Sequence, residues 1–181
     1  MKQTILLTAL LVLGTTQAPA AGLKNFREIY EHLKTATEVE VTPNSQMANL
    51  FSNLREKLPR YGYSEELGPA TRKSVLTLAS SFCERRAQLD QQQQASAPTT
   101  VLFPKIEDLK NFEAAKDKIR LGIETTSIRL WGRKPSDSEA NALLDLANQF
   151  YKESNNGISA ETLTASLCLT IASSLETILS H

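Results

Sequence analysis

Few side chains in this chain carry intrinsic reactivity. It holds two cysteines, Cys83 and Cys168, and two histidines, His32 and His181. A cysteine nucleophile needs a neighbouring base to take its proton. His32 falls between Glu31 and Leu33 on the polar side of an amphipathic segment, the setting of a solvated histidine. His181 is the last residue, where order is least expected. No Cys-x-x-Cys is available for redox exchange and no Cys-x-x-Cys-His for covalent haem. Two cysteines and two histidines without paired spacing do not build a zinc site. No serine lies in Gly-x-Ser-x-Gly, and no glycine-rich loop could cradle phosphate. Glu65 and Glu66 are adjacent, so on a helix they point in different directions. Glu84, Glu124 and Asp145 could line a cleft or sit on solvated faces, and sequence does not separate the two. No catalytic residue, cofactor or metal ligand is therefore assigned.

Two features remain. Cys83 and Cys168 allow one intramolecular pairing, and in an oxidising compartment they would form it. By chain entropy such a cross-link stabilises a fold by on the order of 4–5 kcal/mol. Two buried free thiols are the alternative. The second feature is a cationic-aromatic cluster, Arg129, Trp131, Arg133 and Lys134. A tryptophan among cations can form a binding surface, and it can equally be a partly buried anchor at a helix end.

Helices must position both features. Around Cys83, Lys73-Ser-Val-Leu-Thr-Leu-Ala-Ser-Ser-Phe-Cys83 has an echo in Ser166-Leu-Cys-Leu-Thr-Ile-Ala-Ser-Ser-Leu-Glu176, displaced by 93 residues. Positions 75, 78, 79 and 82 and positions 168, 171, 172 and 175 are apolar at i, i+3, i+4, i+7, the stripe of a buried helix face. Pro43, Ala48, Asn49 and Leu54 recur as Pro135, Ala140, Asn141 and Leu146 at an offset of 92. A duplicated three-helix unit explains both echoes; chance alignment of two like hairpins is the alternative.

In order, the pattern predicts helices over 22–36, from a cap at Asn44 to Leu58, from Ser64 or Pro69 to Leu89, over 106–131 with a break near Asn111, from a Ser136/Glu139 capping box to Lys152, and from a cap at Ser159 onward. Glu84-Arg85-Arg86 reads as the polar end of the third helix. The expected fold is all-α, about six helices in two related three-helix units packed as one bundle. Residues 22–90 form unit one, 91–104 a glutamine-rich linker, and 105–181 unit two.

The amino terminus looks like a cleaved secretory signal. Lys2 precedes the apolar run 5–13, and Ala18-Pro19-Ala20 fits the cleavage pattern, giving a signal over 1–20 and a single helical domain over 21–181. Nine residues are too few to span a bilayer, which takes roughly 20. Periplasmic or secreted localisation is expected, without stable membrane insertion after cleavage. Lysine plus arginine and aspartate plus glutamate number 20 each, so no net field draws in nucleic acid, and no nucleic-acid partner is expected.

Leu58-Pro59 followed by Thr71 to Cys83, with a later helix carrying Cys168 and Ser174, resembles a segment of uncharacterised secreted helical proteins of Gram-negative bacteria. Arg129-Leu-Trp-Gly-Arg-Lys-Pro-Ser-x-x-Glu139 is similar to a helix start found in several bacterial families of unknown function. The resemblance implies an envelope or surface role and a disulfide-linked helical domain. It brings no catalytic residue and no haem.

The function expected from sequence is that of an exported non-catalytic envelope protein binding a protein partner or a surface polymer, with Arg129, Trp131, Arg133 and Lys134 as its binding surface. The competing expectations are a hydrolase whose carboxylate pair is assembled by the fold, and a carrier of a small apolar ligand held between the third and sixth helices.

Overall fold

A computed structural model describes residues 24–58, 68–92, 101–107, 109, 111–154, 157–174 and 177. The apolar run 5–13 and the cleavage pattern at 18–20 lie outside the described residues, as does most of the linker. Within them the fold is all-α, with helices α1 (Phe26–Thr37), α2 (Gln46–Glu56), α3 (Pro69–Gln92), α4 (Phe112–Trp131), α5 (Asp137–Glu153) and α6 (Ala160–Ala172). None of them is long and apolar enough to cross a membrane.

Local chemistry sets the helix starts. Asn25 and Glu28 form a capping box on α1, and Ser136 and Glu139 form the expected one on α5. Ser159 caps α6 through the Thr162 amide. On α2 the cap is Ser45 and not Asn44, which turns the chain with φ 63°. Ile106, Glu107, Leu109 and Asn111 are not helical. Asn111 accepts from the Glu113 amide and starts α4 at Phe112, so the break expected near Asn111 is the true beginning of the helix. α3 runs three residues past Leu89 because Asp90 and Gln91 are held by backbone described below.

α3 and α6 make the broadest helix contact and form the centre of the bundle. α1 and α2 lie against α3, α4 and α5 lie against α6, and α1 also meets α4. One hydrophobic cluster draws on all six helices. Several buried positions of the first three helices lie 93 residues before buried positions of the last three. Buried Ile29, Leu33 and Thr37 of α1 correspond to buried Gly122, Thr126 and Leu130 of α4. Val75, Leu78 and Ala79 correspond to Cys168, Ile171 and Ala172. For the second helices this shift places Met47, Leu50, Phe51 and Leu54 on Ala140, Leu143, Leu144 and Ala147, all core or core-facing. The offset of 92 read from sequence instead pairs buried Leu54 with only half-buried Leu146.

Residues 101–107 and 109 are not a free linker. Leu102, Phe103, Ile106 and Leu109 are all buried. The segment straps across the carboxyl end of α3, and the Phe103 ring lies against Gly122 of α4, where a Cβ would collide with it.

Candidate functional site

The cysteine pair sits at the centre of the molecule. Cys83 of α3 and Cys168 of α6 are each 1% exposed and are joined as a disulfide, with Cα atoms 5.6 Å apart. It ties together the two helices that share the broadest contact in the fold. No thiol is left free for nucleophilic chemistry.

The cationic-aromatic cluster is brought together, but around a buried ring. Trp131 is only 9% exposed, and its indole Nε1–H donates to Ser174 Oγ at 2.8 Å and to the Ile171 carbonyl at 3.2 Å. Trp131 thereby fixes the end of α6 against the end of α4. The Arg133 guanidinium lies 5.2 Å from the indole centroid and makes a two-pronged ion pair with Glu139, at 2.9 and 2.8 Å. Glu139 also accepts the Ser136 amide and hydroxyl. These bonds, the arginine first, hold the Glu139 carboxyl down to about 2. Arg129 turns the other way, to Glu38 at 2.7 Å and the Ala36 carbonyl at 3.4 Å. Lys134 is exposed. Three of the four residues named from sequence thus brace helix ends.

His32 is not simply solvated. Its Nε2 lies 2.8 Å from the Leu130 carbonyl, one of the free carbonyls at the end of α4. Burial, more than the nearby Lys24, lowers its pKa, although the hydrogen bond to Leu130 works in the opposite direction. With Arg129 reaching Ala36, α1 and α4 cap each other's carboxyl ends. Lys24 donates to the Thr177 carbonyl at 2.8 Å, and burial lowers its pKa against the raising influence of Glu28.

Sequence reading missed a buried ionic clasp. Arg86, read as the polar end of α3, is 5% exposed and pairs with fully buried Asp90 at 2.8 Å. The Asp90 carboxylate also accepts the amides of Val101, Leu102 and Phe103 at 2.9, 3.0 and 3.0 Å. Gln91 accepts the Ile106 amide at 2.9 Å and donates to the Pro104 carbonyl at 3.4 Å. Four backbone donors of an otherwise irregular strap are satisfied this way. The sequence carried no signal for it beyond an acid and an amide beside the linker.

Two grooves, each of about 280 Å³, open on the surface. One, between α3 and α6, is lined by Ser80, Glu84, Glu161, Thr162 and Ser166 among others, with Ser80 Oγ donating to Glu84 at 2.6 Å. The other, between α4 and α5, includes Phe112, Lys116, Asn141 and Asp145. Among the described residues no cluster of three or more His, Cys, Asp and Glu side chains could hold a metal ion.

The remaining feature is an apolar ridge. Leu121 (55%) and Ile128 (42%) are two of three large hydrophobics that are exposed among the described residues. Both lie on α4, and Ala114, also exposed, continues the line. A spacing of seven keeps all three within about 40° of one face. The signal in sequence was their being out of phase with the core stripe Phe112, Ala115, Ile119, Ile123, Thr126 and Leu130, all of which are buried as expected.

Comparison of the chain with protein families, with curated proteins and with solved structures gives no match.

Proposed function

We propose that the protein is an exported, non-catalytic helical scaffold of the bacterial envelope that binds a protein partner through the outer face of α4. The observation that carries this reading is the ridge of Ala114, Leu121 and Ile128, whose apolar side chains are left in water by a chain that buries its other α4 hydrophobics. An apolar ridge matches a protein surface better than a hydrated polymer. The disulfide between α3 and α6 supports export, since such bonds persist in oxidising compartments. Trp131, Arg129 and Arg133 support the scaffold by locking helix ends, while Lys134 is exposed. Buried positions 93 residues apart, with α1 and α2 meeting α3 as α4 and α5 meet α6, support descent from a duplicated three-helix unit.

A hydrolase is the second reading, favoured by the presence of Glu84 and Glu161 in one groove. The space that a carrier would need between α3 and α6 is taken up by Val75, Leu78, Phe82, Leu167 and Ile171 around the disulfide.

The test is a photoactivatable amino acid placed at Leu121, and separately at exposed Arg85 on α3, in the organism that makes the protein. The expected result is one discrete adduct from position 121 and none from position 85. Equal labelling from both positions, or none from either, would remove the binding reading.

A further inference from the structure

The flanks of the α4 ridge are charged with opposite signs. With about 100° per residue, Glu113, Asp117 and Glu124 fall on one side of the Ala114–Leu121–Ile128 line, with Arg120 farther round that side and bound to Asn141, and Lys118 and Arg129 fall on the other. No ion pair among the described residues holds Asp117 or Glu124. Lys118 donates to the Lys105 carbonyl, which leaves its charge uncompensated. Glu113 pairs with Lys116 on the surface, both side chains largely exposed, while Arg129 is held by Glu38 of α1.

This arrangement is self-complementary in one orientation only. If two copies of α4 pack side by side and parallel, about a twofold axis running along the helices, the acidic flank of each meets the basic flank of the other. If the copies are antiparallel, acid meets acid and base meets base. The parallel arrangement places Leu121 on Leu121 and Ile128 on Ile128 of the second copy. It also brings the flank carrying Glu113 and Asp117 towards Lys118 of the second copy, whose charge is uncompensated within its own chain.

Resting on the reading of this ridge as a binding face, we infer that its partner is a second copy of this chain, paired through parallel α4 helices in an isologous, twofold interface. The fold itself does not require the ridge. At the positions of α1 that correspond by the shift of 93, Leu121 and Ile128 are replaced by exposed Glu28 and Thr35. One helix face buries less than the roughly 800 Å² per partner of a standard interface, so the pairing is reversible and concentration-dependent.

Sedimentation equilibrium of the exported chain from micromolar to millimolar concentration reads the association. The expected mass rises from monomer towards dimer, and Leu121→Lys weakens the association by at least about tenfold, as loss of a central apolar anchor does. At 55% exposure the position tolerates lysine, and an unchanged melting temperature verifies that the variant folds. Single cysteines then report direction, because both native cysteines are already bonded to each other. Under mild oxidation Ala114→Cys and Ile128→Cys each cross-link to themselves if the pair is parallel. A link formed only in a mixture of the two variants marks an antiparallel pair and overturns the proposal, as does a dimer that survives Leu121→Lys. A chain that stays monomeric throughout also overturns it. Should position 121 still give an adduct with another protein in the photocrosslinking experiment, the binding reading stands and self-pairing alone falls.

Discussion

Leu121 and Gly122 are neighbours in α4 with opposite fates: Leu121 is exposed to solvent, and Gly122 is buried under the Phe103 ring. The helix therefore presents one apolar line to water and packs the other. Truncation should separate the two lines. Leu121→Ala and Ile128→Ala are expected to change unfolding free energy by no more than about 0.5 kcal/mol, as exposed positions do. Ile119→Ala and Ile123→Ala, both fully buried, should each cost about 2–5 kcal/mol in urea denaturation.

The contact between Gly122 and Phe103 predicts a compensating pair. Gly122→Ala gains helix propensity, yet its methyl group meets the ring, and overpacking costs about 1–3 kcal/mol. Phe103→Leu on its own should also destabilise, by opening space in the core. Together the two changes should cost less than the sum of their separate effects, which a double-mutant cycle in urea measures.

Asp90 anchors the strap. Asp90→Ala would strand the Arg86 guanidinium and three backbone amides away from water, and removing one partner of a buried pair costs about 3–5 kcal/mol. Hydrogen exchange at Val101, Leu102 and Phe103 should rise in Asp90→Asn, where one acceptor oxygen becomes a donor. Unchanged protection at these amides would show that the apolar side chains alone hold the strap.

The helices, their order and much of the core were legible in the sequence, because amphipathic periodicity follows directly from burial. On α4 the buried positions Phe112, Ala115, Ile119, Ile123, Thr126 and Leu130 all follow that periodicity, Thr126 despite its hydroxyl. The capping box at Ser136 was visible because it is local. The roles of Asp90, Arg86 and His32 were not, since each depends on which backbone atoms a distant segment brings near. Arg86 in an Arg-Arg pair at a helix end has the same local appearance whether it is solvated or buried against Asp90. Trp131 was ambiguous for a similar reason: its partners, Ser174 and the Ile171 carbonyl, lie 43 and 40 residues away.

Two groups make stability rise with pH on the acidic side. Glu139 is held down to about 2 from its ordinary 4.5, so its contribution is complete above about 4.5 and disappears as pH falls towards 2. Glu139→Gln should lower stability at neutral pH by about 1 kcal/mol, kept small by its exposure to solvent, with no difference remaining near pH 2. His32 has its pKa lowered chiefly by burial, so the unfolded chain takes up a proton more readily. Stability should therefore fall as pH drops below about 6.5. His32→Gln, which can still donate to Leu130, should flatten that part of a melting-temperature profile.

Replacing Cys83 and Cys168 together with alanine should lower stability by about 2–5 kcal/mol while leaving helix content by circular dichroism unchanged. Because both sulfurs are buried, the native protein should resist reductant until it unfolds.

The function assigned to the outer face of α4 is tested most directly by charge insertion over the surface, reading complex formation and melting temperature together. Leu121→Glu with Ile128→Glu is expected to abolish the complex with no loss of thermal stability, whereas Glu84→Gln with Glu161→Gln leaves it intact. If the ridge variant retains the complex and the groove variant loses it, binding lies between α3 and α6 and the assignment to α4 is wrong.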